Sequence, residues 1–179
     1  MISSARAGRS LVRLKGGDPY IFGRGGEEVA GLAQAGSLFD VIPGITAAQA
    51  AAAQAGIPIT HRDHSPSVVL ATGHLQGEHG DRYVDLDWPA LVHDKRTLVI
   101  YMGLGALPII CEQLMAHGMP ADTPAALVER ASLPTQRVVS GTVARLPALA
   151  VSHQIESPTL IMIGHVVPLH HQLAPKASS

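Results

Sequence analysis

The chain contains one cysteine, Cys111, which excludes an internal disulfide and a cysteine-built zinc site. It falls in the apolar run from Leu107 to Met115 and reads as a buried, inert thiol. Aromatic residues are only 3% of the chain, so the core has to close around small and branched aliphatics. That favours helices packed closely on a sheet over an aromatic-rich β-sandwich. No apolar stretch reaches the roughly 18 residues of a membrane span, and Met1 to Gly8 lacks the apolar segment of a signal peptide. A soluble cytoplasmic chain is expected. Neither sign of charge is in excess: 13 Lys and Arg stand against 14 Asp and Glu, with no basic run. A nucleic-acid partner held by phosphate neutralisation is therefore excluded. Individual arginines remain compatible with a small polyanionic ligand.

What is present is apolar and rhythmic. Hydrophobic residues make up 46% and charged residues 15% of 179 positions, enough for a buried core in one medium domain or two small ones. Leu11 to Lys15 reads as a strand running into Gly16-Gly17-Asp18-Pro19, and Glu27 to Gln34 as a helix stopped by Gly36. Leu38 to Ile42 is a second apolar run closed by Pro43-Gly44, after which Thr46 can cap an Ala-rich helix from Ala47 to Ala55. Ser67 to Thr72 alternates like a strand, Gln76 to Asp85 reads as an exposed loop, and Thr97 to Met102 is a strand followed by a helix from Ala106 to His117. Ala125 to Glu129, Arg137 to Thr142 and Leu160 to Ile163 are further strands. A helix over Val143 to Val151 is interrupted by Pro147, and the tail Leu173 to Ser179 is expected to fray. Strand, glycine-rich turn and helix alternate, which predicts an α/β architecture with a mostly parallel sheet. The later strands follow one another without a helix between them and suit a mixed sheet in a second domain. We expect residues 1–64 to be the C-terminal part of an N-terminal α/β domain, 65–173 a C-terminal α/β domain and 174–179 a disordered tail. The first strand has almost nothing before it, so the first domain is expected to be incomplete and the chain N-terminally truncated.

Glycines at 16 and 17 let backbone amides approach a ligand, and Asp18 can accept hydrogen bonds from hydroxyl or amine groups; their alternative reading is a simple turn. A nicotinamide-dependent dehydrogenase would carry G-x-G-x-x-G with an acidic residue about 20 positions later, and Gly23-Arg24-Gly25-Gly26 does not match it. His61 and His64 bracket Arg62 and Asp63 but lack a third ligand, so a polar loop is expected and no metal is assigned. His170-His171 reads as solvent-exposed, and Asp85 and Asp87 as helix-start residues before Trp88.

Taken as a string, Val12 to Glu28, with Gly16-Gly17-Asp18-Pro19 and Gly23-Arg24-Gly25-Gly26-Glu27-Glu28 inside it, closely resembles the signature of uroporphyrinogen-III C-methyltransferases of the tetrapyrrole methylase family. Val41-Ile42-Pro43-Gly44-Ile45-Thr46-Ala47-Ala48 and Gly56-Ile57-Pro58-Ile59-Thr60-His61-Arg62-Asp63 resemble the next blocks in order. Tyr101-Met102-Gly103-Leu104, Gln136 to Thr142, and Ser157-Pro158 with Leu160 to Gly164 continue the match, which runs from about Leu11 to Leu173. The resemblance implies two α/β domains with S-adenosyl-L-methionine bent in the cleft between them, and a homodimer. It implies C-methylation of uroporphyrinogen III to precorrin-2, via precorrin-1, in sirohaem or cobalamin synthesis.

By the same resemblance the cofactor touches Gly16, Gly17, Asp18, Ile21, Thr46, Ala47 and Met102, together with the backbone of Ala131, where the family has glycine. A main-chain contact survives that exchange if φ stays negative, although the methyl could crowd the adenine. Arg24, Glu27 and Arg62 match substrate-contacting positions, and guanidinium suits a tetrapyrrole ringed with carboxylates. Solvated ion pairs are their alternative reading. The family's acid–base residues and first glycine-rich loop precede the segment matched by Leu11, so no catalytic acid or base is assigned and the chain alone is expected to turn over little. Two other readings stay open: a non-catalytic remnant, and a sister methylase acting on a later precorrin.

Overall fold

Local sequence accounts for one of the two helices of residues 1–47, the first of two compact units into which the computed structural model divides. The structure describes residues 1–77 and 82–175. Helix α1 (Ile2–Arg6) is a single short stretch that sequence periodicity does not reveal. Helix α2 (Gly25–Gln34) carries Glu27 and Glu28 in its first turn, where carboxylates oppose the positive end of the helix dipole. Leu11 to Lys15, expected as a strand, is not one, and neither is the apolar run Leu38 to Ile42. An extended apolar segment becomes a strand only when a neighbour takes its backbone hydrogen bonds, and no described residue pairs with either. The first segment is instead held through its cations. Arg13 and Lys15 bind Glu28 of α2 at 3.1 and 2.9 Å, and Lys15 Nζ donates to the Gly23 carbonyl at 2.7 Å. Val12 (92% exposed), Leu14, Leu38 and Ile42 stand in solvent.

Short apolar runs between turn residues predict the strands of the second unit, residues 48–179, closely. Helix α3 (Ala47–Ala55) is followed by β1 (Ser67–Thr72), α4 (Trp88–Leu91) and β2 (Arg96–Tyr101). A 3-10 turn at Leu104–Ala106 leads into α5 (Leu107–Ala116), then β3 (Pro124–Glu129) and β4 (Arg137–Thr142). Helix α6 (Leu146–Ser152), β5 (Thr159–Ile163) and α7 (His170–Leu173) complete the order. Asp87 caps α4, its carboxylate accepting from the Ala90 amide at 3.2 Å. Pro147 does not interrupt a helix. It lies in the first turn of α6, where its missing N–H would have had no helical partner. In the expected loop Gln76 to Asp85, Gln76 and Tyr83 exchange backbone hydrogen bonds, and 78–81 lie outside the described residues. So do residues 176–179 of the expected frayed tail, whose first residue, Leu173, closes α7. His170 also departs from expectation. It is half-buried, and its Nδ1 pairs with the Ala55 carbonyl at the end of α3, while His171 is exposed.

The five strands form one mixed sheet in the order β1-β2-β5-β3-β4. β1 and β2 are parallel, whereas β5 is antiparallel to both β2 and β3, and β4 to β3. β1, β2 and β3 therefore point the same way and end on the same edge. Successive residues face opposite sides, so each side has its own core. Leu98, Ile100, Leu127 and Ile161 pack with Leu107, Ile110 and Leu114 of α5 and Leu146 of α6. Val99, Tyr101, Ala126, Val128 and Met162 pack with Ala48, Ala51 and Ala55 of α3. The methyl-sized buried face of α3 lets it lie close on the sheet. Beyond the ends of β1 and β2, the backbones of Gly73 and Gly103 are pressed together, and a Cβ on Gly73 would stand 2.8 Å from the Gly103 Cα. Gly73→Ala is expected to lower stability by about 1–3 kcal/mol through overpacking, read as a shift in the urea midpoint.

Candidate functional site

The glycine-rich loop of the first unit is a clasp between two backbone turns. The Asp18 carboxylate accepts from the Gly44 amide at 3.1 Å and from the Tyr20 amide at 2.9 Å. These bonds, the one from Gly44 foremost, hold its pKa below the ordinary carboxylate value. Gly17 has φ +83°, and a Cβ there would lie 3.4 Å from the Ile45 carbonyl oxygen. A Cβ on Gly44 would overlap the Gly17 carbonyl. The stretches 16–19 and 43–46 thus touch backbone to backbone, with Thr46 buried beside them. Asp18 was expected to serve a ligand's hydroxyl or amine; its bonds in the structure go to the protein's own amides and set the loop.

Gly16 differs from its neighbours. A Cβ there would meet nothing within 4 Å, so nothing in the chain's own packing requires glycine. Further along, Pro19 presents its carbonyl to the Gly25 amide at 2.9 Å, and a Cβ on Gly23 would stand 2.7 Å from that oxygen. This tight winding throws Phe22 (φ 52°) and Arg24 (φ 55°) into the left-handed region. Arg24 and Glu27 are both exposed and form an ion pair at 3.3 Å. Glu27 is held below its ordinary pKa by its own backbone amide first and by Arg24 second.

In the second unit Met102 and Ala131 lie where β2 and β3 end, the side of an open α/β sheet on which ligands collect. Met102 follows β2 with φ 53° and is 56% exposed. Ala131 lies just beyond β3, flanked by Arg130 (φ 48°) and Ser132 (φ 69°), and is not itself left-handed. Ala131 packs against the α3 side of the core, so its methyl adds to that core without backbone strain. Tyr101, the neighbour of Met102, accepts the Ala48 amide of α3 on its hydroxyl at 2.9 Å. Sequence reasoning missed this contact, since 53 residues separate the two and no local pattern links them.

Of the six non-glycine residues with left-handed backbone among those described, five are expected site residues or lie next to one; Gln154 is the sixth. Such backbone is costly and persists where surrounding contacts over-determine it, commonly at functional sites. Arg62 stands apart from Met102 and Ala131. It sits ahead of β1, at the opposite end of that strand, on a turn closed by paired bonds between His61 and Ser65 at 2.8 and 2.9 Å. Ser65 and Thr97 are buried there and share a hydroxyl bond of 2.8 Å. His61 and His64 have ring centroids 4.7 Å apart, and no group of three metal-binding side chains is found among the described residues. Cys111 is buried in α5, and desolvation pushes its thiol up to about 12. It is chemically quiet.

The sequence profile of the tetrapyrrole (corrin/porphyrin) methylases matches residues 1–147. The siroheme synthase of Pseudomonas fluorescens is 54% identical over 174 residues, which are 97% of this chain and 37% of that protein. That of Thiobacillus denitrificans is 51% identical over the same length, 36% of its own. The chain thus spans little more than a third of the curated relatives it matches. Among solved structures, a uroporphyrin-III C-methyltransferase from Thermus thermophilus superposes with a TM-score of 0.81 at 42% identity, covering 98% of this chain and 73% of that one. A T. thermophilus uroporphyrin-III C-methyltransferase solved in complex with S-adenosylhomocysteine gives 0.75 at 34% identity, covering 94% and 71%. With a matched profile over most of its length and relatives above half identity, the chain belongs to the tetrapyrrole methylase family.

Proposed function

We propose that this chain belongs to an S-adenosylmethionine-dependent C-methyltransferase that converts uroporphyrinogen III to precorrin-2 by way of precorrin-1, feeding sirohaem or cobalamin synthesis. The observation that carries the reading is the clasped loop of Gly16, Gly17 and Asp18, in a chain 34% identical to a homologue solved with S-adenosylhomocysteine. A homodimer, a cytoplasmic location and a domain boundary near residues 64 and 65 belong to the same proposal. No helix among the described residues is long and apolar enough to cross a membrane.

The residues present fit the donor. Gly16 has open space where a side chain would stand, Met102 is exposed and left-handed, and Ala131 keeps a negative-φ main chain with its methyl turned to the core. S-adenosylmethionine, when bound, supplies a sulfonium methyl to an electron-rich pyrrole carbon. The protein's part is to align the reactants and keep water out. Gly16, Gly17, Asp18, Ile21, Thr46, Ala47, Met102 and Ala131 would hold the donor. Arg24, Glu27 and Arg62 would meet the tetrapyrrole, the two arginines receiving its carboxylates. Proton removal from the methylated ring needs a base, and no residue of this chain is assigned that role.

Calorimetric titration of S-adenosylhomocysteine into the full gene product tests the reading. Saturable binding is expected, together with conversion of uroporphyrinogen III to precorrin-2. Gly16→Ala is expected to leave the melting temperature unchanged while weakening donor binding by about tenfold, near 1.4 kcal/mol. If the full gene product binds neither S-adenosylmethionine nor S-adenosylhomocysteine, the assignment is wrong. Faster methylation of a later precorrin than of uroporphyrinogen III would favour the sister methylase.

A further inference from the structure

The turn that carries Ala131 is held from two sides. Its first half is tied to the segment before β5: the Arg130 amide donates to the Pro158 carbonyl at 2.9 Å, and the Arg130 guanidinium meets Glu156 at 2.6 Å. Its second half is closed on itself by the Leu133 amide, which donates to the Arg130 carbonyl at 3.0 Å, and is tied to the rest of the unit by one side chain. Gln136 Oε1 accepts the Ser132 amide at 2.8 Å, and Gln136 Nε2 donates to the Gln54 carbonyl in the last turn of α3 at 3.1 Å. That carbonyl is among the helix-end acceptors that have no partner within the helix. One amide group therefore joins a strained backbone turn to a helix 82 residues away in sequence. The other end of α3 is received by Tyr101, next to Met102.

We propose that Gln136 is a positioning residue for the methyl donor. It fixes Ser132 in the left-handed region and so sets the direction in which Ala131 offers its backbone. The proposal rests on the donor-binding reading above. Without Gln136 the Ser132 amide loses its acceptor, and a left-handed serine has less to hold it against relaxing to negative φ. Arg130 stays anchored, so the turn loosens locally while β3 and the core keep their register.

Two variants of the full gene product separate this from a purely structural role. Gln136→Met keeps the shape and removes both hydrogen bonds; Gln136→Glu keeps an acceptor for Ser132 and gives up the donor to Gln54. We expect Gln136→Met to weaken S-adenosylhomocysteine by about tenfold, the scale of one well-placed hydrogen bond. Its affinity for uroporphyrin III should stay within about twofold, and amide exchange at Ser132 should quicken. Gln136→Glu should restore most of the donor affinity and the Ser132 protection. Equal donor binding by Gln136→Met and the unmodified protein overturns the proposal. So does an equal loss for both ligands, or a Glu variant no better than Met. An unmodified protein that fails to bind S-adenosylhomocysteine overturns the underlying functional reading instead.

Discussion

Arg137→Met is expected to destabilise the second unit strongly at neutral pH and much less in acid. Glu129 ends β3 fully buried, and its carboxylate accepts from the Arg137 guanidinium and, at 2.8 Å, from the Glu156 amide. Arg137 also donates to the carbonyls of His153 and Gln154 at 2.9 and 3.0 Å, so one guanidinium gathers β3, β4 and the end of α6. The Arg137 hydrogen bond is the main reason the Glu129 pKa lies below its ordinary value of 4.5. A carboxylate with a depressed folded pKa contributes stability above its unfolded pKa and loses it as pH falls through the folded one. Removing the arginine reverses this. Burial is then opposed only by the Glu156 amide and the more distant Arg130, so the Glu129 pKa rises and protonation relieves the protein. The stranded carboxylate is expected to cost roughly 3–5 kcal/mol at pH 7. Urea midpoints of the variant and the unmodified protein should draw together as pH falls through the ordinary glutamate value of 4.5 and below it. Parallel curves across that range would contradict the assigned role of Glu129. Glu129→Gln should be milder, because it keeps an acceptor and leaves a half-exposed cation that water can serve.

Gly44→Ala is expected to abolish measurable donor binding while sparing the five-stranded sheet. The added methyl would collide with the Gly17 carbonyl oxygen, and the atoms in the way are backbone, which cannot swing aside as a side chain does. Gly44 is not among the left-handed glycines, so the cost is steric and falls on the contact between the two loops. Parting them also stretches the bond from the Gly44 amide to Asp18, which is 3.1 Å long. A loss of about a hundredfold or more in S-adenosylhomocysteine affinity is expected, corresponding to about 2.7 kcal/mol. The sheet's contribution to circular dichroism should be unchanged. Retained affinity would show that the clasp between 16–19 and 43–46 does not shape the donor site.

The second unit was legible because its strands are short apolar runs and left-handed glycines, Gly56 and Gly118, stop two of its helices. Ser67–Thr72 and Arg137–Thr142 match their expected bounds, as does Ala47–Ala55. Leu11 to Lys15 was misread because the same apolar pattern is written for a paired strand and for an unpaired extended segment. Pro147 was misread because proline breaks a helix interior but starts a first turn. Helices α1 and α7, of five and four residues, are too short for a 3.6-residue period to show. At the candidate site, resemblance picked out residues whose backbone proves unusual, Met102 and Arg24 among them. What it could not supply were the side chains that hold them. Tyr101 reaches Ala48 and Gln136 reaches Gln54 across long sequence separations, and although both stand in matching blocks, no local pattern gives their partners.

The order of the strands also dictates an order of events during synthesis. Among the described strands of this sheet β5 is the last to be made, yet it sits in the middle, between β2 and β3. Until residues 159–163 leave the ribosome, the parallel pair β1–β2 and the hairpin β3–β4 are separate pieces, each with an open edge that β5 alone is built to fill. A nascent chain halted before Thr159 should therefore be protease-sensitive and dependent on chaperones, whereas one released past Ile163 should close in a single cooperative step.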